Sequence, residues 1–264
     1  MATQEFLGND CLMLPRVIPT LLLRGTGLVK TTQFKDPKYV GDPINAIRIF
    51  NDKEVDELIL LDITRSGEGA GPAFEVIRDA ASECFMPLAY GGGISSLHDI
   101  EKILSIGVEK VVLNTAAVAN MSLISEAART FGSQAIVVSI DARKKLLGGY
   151  EVVGNRGQKR TGMDPVSFAR ACDEAGAGEI MLTSVERDGT LQGYDHDLIS
   201  RVSKGLKVPL IASGGAKDLP DMVSAIRNSG ASAVAAGAFF VFQGKHRAVL
   251  ISYPSPSDLR KAFV

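Results

Sequence analysis

Asp141 closes the run Ala135-Ile136-Val137-Val138-Ser139-Ile140-Asp141, an apolar, β-branched stretch that reads as a buried strand. A carboxylate at the mouth of such a strand is placed to give or take a proton. Near the start of the chain, Arg16-Val17-Ile18-Pro19-Thr20-Leu21-Leu22 has the same make-up and ends in Leu22. Two carboxylates facing each other across a cavity can divide acid and base work between them. A carboxylate facing leucine has lost its opposite number, because leucine moves no proton.

Two glycine clusters offer a second kind of chemistry. Gly92-Gly93 follows one strand candidate, and Asn114-Thr115 follows the next. Gly214-Gly215 and Ala236-Gly237 repeat the arrangement later in the chain. Glycine lets an anion approach the backbone closely, and free N–H groups at a helix start favour phosphate. Asp188-Gly189 is placed to close the rim of the second cluster. The bland alternative is a set of tight turns. The matched pairs point instead to a ligand with two phosphates, one at each end.

A third set is charged. Residues two apart on a strand share a face. Counting back from Leu22, Leu61, Asn114 and Thr183 brings Arg16, Glu57, Lys110 and Glu179 to the inner face at the strand starts. Two are cations and two are anions, so they can neutralise one another where a lone buried charge would be very costly. Above them the same face carries Ile18, Ile59, Val112, Val137 and Met181. The set reads either as a stabilising polar plug or as a gate for a small neutral molecule.

These residues need a scaffold, and the chain supplies one twice. Glu57-Leu58-Ile59-Leu60-Leu61-Asp62 recurs 122 positions on as Glu179-Ile180-Met181-Leu182-Thr183-Ser184. Gly67 matches Gly189, Gly92-Gly93 matches Gly214-Gly215, and Asn114 matches Gly237. Strand candidates fall at 16–22, 56–62, 85–90, 109–114, 135–141, 178–184, 207–212 and 232–236. Helix candidates fall at 43–52, 72–84, 96–106, 119–130, 164–176, 195–203 and 218–228. Pro43, Pro72 and Pro165 suit first helical positions, and Ser95, Asp164 and Asp218 suit N-caps. Gly107, Gly176 and Gly230 suit left-handed closing residues. Eight alternating units predict an α/β fold, a (β/α)8 barrel of two duplicated half-barrels over residues 14–264, after an extension at 1–13. A doubly wound open sheet is the alternative, and no GxGxxG motif follows the first strand to support it. Residues 23–42 and 142–163 read as long loops, either solvated or closing over an anion. Residues 243–257 read as an ordered surface tail.

Composition excludes several classes. The 264 residues carry a net charge of -1, so no basic field points to nucleic acid or an anionic membrane. No apolar run is long enough to span a bilayer. Cys11, Cys84 and Cys172 lack metal-ligand spacing and read as reduced thiols of a cytoplasmic protein. No metal and no cofactor is expected. His98, His196 and His246 fall in helices or the tail, away from the strand ends. Asp62 points off the inner face by parity, and Glu109 is placed to face a partner.

The chain resembles the cyclase subunit of imidazole glycerol phosphate synthase over roughly residues 14–243. The resemblance is carried by Arg16-Val17-Ile18-Pro19, Asp56-Glu57-Leu58, Gly91-Gly92-Gly93-Ile94, Asn114-Thr115-Ala116-Ala117, Arg187-Asp188-Gly189-Thr190 and Ala212-Ser213-Gly214-Gly215-Ala216. It implies a (β/α)8 barrel with lyase-type activity, in a heterodimer with a class I glutaminase on the N-terminal face of the barrel. Ammonia would pass a gate of Arg16, Glu57, Lys110 and Glu179 to a phosphorylated small-molecule substrate. The phosphate sites would be Gly92, Gly93, Asn114, Thr115, Asp188, Gly189, Gly214, Gly215, Ala236 and Gly237. Lys30 matches a loop lysine that reaches over substrate. Of the family's two catalytic aspartates, one falls on Asp141 and the other on Leu22, so ordinary cyclisation is expected to be impaired. The run Phe34-Lys35-Asp36-Pro37-Lys38-Tyr39-Val40-Gly41-Asp42-Pro43 and the tail from Lys245 to Pro254 resemble a WbuZ-like subgroup. That subgroup is associated with amidation of sugars for surface polysaccharide, and implies a sugar amidotransferase as a further partner.

Overall fold

The computed structural model describes residues 14–65, 69–146, 148–244 and 246–264. The expected extension 1–13 with Cys11, the repeat member Gly67 and the tail residue Lys245 lie outside the described residues. The chain begins with β1 (Arg16–Arg24), β2 (Gly27–Thr32), β3 (Lys35–Gly41) and α1 (Pro43–Asp52). It continues through β4 (Leu58–Asp62), α2 (Phe74–Glu83), β5 (Leu88–Gly91), α3 (Leu97–Ser105) and β6 (Lys110–Leu113). Two helices follow, α4 (Thr115–Ala119) and α5 (Ser122–Phe131). The second half holds β7 (Ile136–Lys144), β8 (Tyr150–Gly154), β9 (Lys159–Arg160), α6 (Pro165–Glu174) and β10 (Glu179–Ser184). It ends with α7 (His196–Ser203), β11 (Leu210–Ser213), α8 (Leu219–Arg227), β12 (Ala233–Ala236) and α9 (Ala238–Val241).

Strands β1, β4, β5, β6, β7, β10, β11 and β12 pair in parallel in that order, and β12 returns to β1. The sheet is therefore a closed (β/α)8 barrel, as the alternation of units requires. Closure divides each strand's side chains between two cores. Outward residues such as Val17, Leu21, Leu60, Ile136 and Ile180 join the helix-facing layer. Inward residues Ile18, Ile59, Ala89, Val112, Val137, Met181, Ile211, Ala233 and Ala235 fill the lumen.

Helix starts follow the cap chemistry. Asp42, Asp164 and Asp218 each accept a backbone N–H of the first turn. Two expected start signals move. The cap of α3 is Ser96, not Ser95, because Ser96 and Asp99 form a reciprocal capping box. Pro72 lies before α2, which begins at Phe74. The helix expected at 119–130 is two helices, broken where Asn120 leaves helical geometry.

The two expected long loops are hairpins instead. β2 pairs antiparallel with β1, and β8 with β7. Gly25, at φ +62, makes the first turn, a two-residue connection whose backbone twist suits such a hairpin. The tail is also more structured than expected. Phe242–Gln243 pairs with Ala248–Val249, and α10 (Pro256–Phe263) follows. Tyr253 donates a hydrogen bond to the Val17 carbonyl at 2.8 Å, tying the tail to β1.

Phe50 is fully buried on the inner face of α1, whereas Phe85 is 86% exposed. Phe50→Ala is expected to lower unfolding free energy by about 3–5 kcal/mol in denaturant titration, and Phe85→Ala to leave it within about 0.5 kcal/mol.

Candidate functional site

The floor of the barrel is a closed ring of ion pairs. Arg16 Nη1 bonds Glu57, and Arg16 Nη2 lies 2.8 Å from Glu179. Lys110 Nζ lies 3.0 Å from Glu57 and 3.3 Å from Glu179. The ring is neutral, and each cation touches both anions. Burial pulls the Arg16 pKa down, but the two carboxylates outweigh it and hold the guanidinium charged. Glu57 is nearly inaccessible, so its charge depends on these partners. Glu109 is exposed beside the ring.

Above the floor the lumen is apolar, and above that it opens into a cavity of about 170 Å³ at the carboxyl ends of the strands. Leu22 and Asp141 both line it. Strand register explains their company: Leu22 stands beside Leu61, and Asp141 beside Thr183, which stands beside Ser213. Asp141 accepts a hydrogen bond from Asn114 Nδ2 at 3.1 Å. Burial, the dominant cause, raises its pKa to about 7; the Asn114 bond opposes the rise and Asp188 adds to it.

The first hairpin delivers a cation to this cavity. Lys30 on β2 is buried and donates to the carbonyl of Thr20. Burial lowers its pKa to about 8, against the attraction of Asp188. Asp188 accepts from Thr31 Oγ1 at 3.2 Å, and burial raises its own pKa despite Lys30. Gln33 fastens the hairpin tip across the mouth, through its N–H to Asp188 O at 2.9 Å and its Nε2 to Glu186 O at 2.9 Å. Thr31, Phe34 and Arg156 also line the cavity. Sequence reasoning missed these three because it read both hairpins as loops; the Arg24-Gly25-Thr26-Gly27 turn was the available signal.

The glycine clusters occupy matched places on the mouth. Gly92 (φ +128) and Gly214 (φ +86) both adopt backbone that side chains rarely enter. A Cβ at Gly92 would sit 2.5 Å from Asp62 O, and one at Gly214 2.7 Å from Ser184 O. The halves agree in detail: Gly93 abuts the Cβ of Arg65, and Gly215 the Cβ of Arg187. Gly92, Asn114, Thr115, Asp188, Gly189, Gly214, Gly215, Ala236 and Gly237 all line the cavity. Gly93 does not; its backbone packs on Ala70 and Arg65.

Other sequence candidates fall elsewhere. Asp62 is buried and spends one oxygen on Thr64, accepting from its N–H at 2.9 Å and its hydroxyl at 2.7 Å. His98 and His246 are exposed. His196 links α7 to α8, with Nδ1 2.8 Å from Ser229 Oγ and Nε2 3.0 Å from Asp221. Burial pushes the Cys84 and Cys172 thiols up to about 11 and about 12, which keeps them protonated at neutral pH. Among the described residues no three His, Cys, Asp or Glu side chains gather as metal ligands. None of the described helices is long and apolar enough to cross a membrane.

The fold and site define a parallel (β/α)8 barrel with a glycine-lined mouth above a charge-neutral floor. The histidine biosynthesis protein family matches residues 16–247, and the chain belongs to that family. It is 54% identical over 244 residues to a Pseudomonas aeruginosa protein named "Putative imidazole glycerol phosphate synthase subunit hisF2", covering 92% of this chain and 97% of that one. A Leptospira interrogans protein with the name "Putative imidazole glycerol phosphate synthase subunit HisF" is 47% identical over 250 residues, covering 94% and 98%. The imidazole glycerol phosphate synthase subunit HisF of Alkaliphilus metalliredigens is 41% identical over 225 residues, covering 85% and 89%.

Two measurements test the electrostatics. The folded Asp141 pKa lies above its unfolded value, so the folded state holds the extra proton and stability should fall as pH rises from about 4 to about 7. Asp141→Asn should reduce that slope, leaving the contribution of the raised Asp188, and carboxyl carbon NMR should show a midpoint near 7 for Asp141 in the wild type. At the floor, Glu57→Gln leaves two cations to one carboxylate and should cost about 3–5 kcal/mol in denaturant titration.

Proposed function

We propose that this protein is the ammonia-receiving subunit of a glutamine amidotransferase complex, with ordinary cyclisation impaired at Leu22. The observation that carries the reading is the pairing of an uncharged Leu22 with a retained Asp141 at one mouth, above an intact ring of Arg16, Glu57, Lys110 and Glu179. A class I glutaminase would dock on the face that bears the ring. Ammonia released there would enter through the ring as a gate and rise through the apolar lumen. Neutral ammonia suits that path, because a charged ammonium would need solvation the lumen does not offer.

In this reading the two glycine cradles bind phosphate groups of a small-molecule ligand. Lys30 supplies a cation beside the cradle at Gly237, and Asp141 remains as a proton carrier with its pKa near the working pH. A positioned acid or base is worth roughly 10²–10⁴ in rate, about 3–5 kcal/mol, so loss of the second carboxylate is a severe handicap for cyclisation. The nitrogen would then go to another acceptor. Amidation of a nucleotide sugar for surface polysaccharide, carried out with a sugar amidotransferase, is the reading we favour.

The names of the relatives support a second reading, a working imidazole glycerol phosphate synthase cyclase in histidine biosynthesis. Asp62, or Thr183, which stands beside Asp141 in register, or Ser213, beside Thr183, would then assist Asp141.

The two separate on one assay. Given ammonium salt and the family's cyclisation substrate, the protein should turn over at no more than about a hundredth of an ordinary cyclase's rate. Turnover within about tenfold of ordinary would replace the first reading with the second. Leu22→Asp should raise the rate by at least about tenfold where the missing carboxylate is the only defect.

A further inference from the structure

The tail that follows the last barrel strand carries an arginine in an unfavourable conformation. Phe242–Gln243 and Ala248–Val249 pair as a short hairpin, and the N–H of Arg247 closes its turn on the Gly244 carbonyl at 3.1 Å. Arg247 sits there at φ +49, backbone that a residue with a side chain rarely adopts. Glycine or asparagine would fill the turn with less strain, so the turn alone gives no reason for arginine. Strain held at one position is a sign of a contact that the residue makes elsewhere.

That contact leaves the tail. Arg247 Nη2 donates to the Gly189 carbonyl at 2.7 Å, and the guanidinium lies 5.7 Å from the centre of the Phe242 ring. No carboxylate among the described residues pairs with it. Gly189, in the loop after β10, lines the cavity and also abuts the first hairpin, since a Cβ there would collide with the Thr31 carbonyl. The preceding carbonyl, that of Asp188, accepts the N–H of Gln33 at 2.9 Å. Two successive carbonyls of the rim are thus held from outside the loop, one by the first hairpin and one by the tail. Apolar contact joins the same three segments. Phe242 of the tail packs in a small cluster with Leu191 of the loop and Val40 of β3.

We propose that Arg247 is a positioning residue for the second cradle: it pins the Asp188–Gly189 rim from outside the barrel and makes the tail part of the mouth. The proposal rests on the reading that this cradle takes a phosphate group. A rim whose carbonyls are already held keeps its place before a ligand arrives, so less ordering is left to be done on binding. The guanidinium, one peptide group away from the cavity and without a carboxylate partner, adds attraction for an anion that it does not touch.

The test is hydrogen–deuterium exchange, read by mass spectrometry, on the whole protein and on Arg247→Ala without ligand. Residues 31–34 and 186–191 should exchange at least about tenfold faster in the variant, with the barrel strands unchanged. Millimolar guanidinium chloride should slow them again. Inorganic phosphate, followed by calorimetry, should bind the variant at least about tenfold more weakly than the wild type. Exchange within about twofold of wild type at both stretches overturns the proposal, and so does faster exchange that spreads through the barrel strands. Loosening that guanidinium does not reverse overturns it too, because the cause is then lost packing on Phe242 and not the hydrogen bond to Gly189. Equal phosphate affinity in the two proteins has the same consequence. The exchange measurement uses no ligand, so failure of the phosphate reading appears separately, as a wild type that binds no phosphate.

Discussion

Side-chain alternation becomes depth once a parallel sheet closes on itself. On β1 the inner face reads Arg16, Ile18, Thr20, Leu22, and each step of two residues climbs from floor to mouth. The same rule orders β10 as Glu179, Met181, Thr183 and β7 as Val137, Ser139, Asp141. Charge, then hydrocarbon, then a polar mouth are stacked because the strands share this register. Closure also leaves each floor charge no route to bulk water through the wall. Glu57, the member that is nearly inaccessible, would alone be a buried charge without compensation, and the two cations beside it neutralise it.

At the mouth the electrostatics are less settled than at the floor. Lys30, Asp141 and Asp188 are all buried, and burial moves each of them toward its uncharged form. Lys30 and Asp188 partly offset this for each other, whereas Asp141 has only an amide, Asn114. At the floor each cation is paired with both anions. In the mouth, the pKa of Asp141 is raised to about 7 and that of Lys30 lowered to about 8, while burial raises that of Asp188.

Much of this was legible in the sequence, for physical reasons that differ by region. The barrel strands were visible because buried parallel strands are apolar and β-branched on both faces. The floor was visible because parity assigns Arg16, Glu57, Lys110 and Glu179 to one face without any structure. The cradles were visible because Gly92 and Gly214 recur at a fixed spacing. The hairpins were hidden: Lys35-Asp36-Pro37-Lys38 is polar and exposed, and it forms β3 only because β2 offers an edge to pair with. Lys30 therefore looked like a residue of a long loop, when it stands on a strand and is buried. Arg247 was hidden for another reason. What its guanidinium reaches depends on neighbours that composition and spacing do not reveal.

The duplication gives the leucine its meaning. Each half builds a hairpin beside its first strand, pairing Leu22 with Val29 and Asp141 with Val153. The next residue on the first hairpin is Lys30; on the second it is Gly154. One half therefore presents a carboxyl group from its strand, and from its hairpin only the exposed Arg156 at the turn. The other presents a cation from its hairpin and nothing ionisable from its strand. Lys30 donates to the Thr20 carbonyl and feels the charge of Asp188, which accepts from Thr31, while Gln33 bonds the Asp188 carbonyl. Lys30 is the only cation buried in the mouth among the described residues. It couples the first hairpin to the loop after β10.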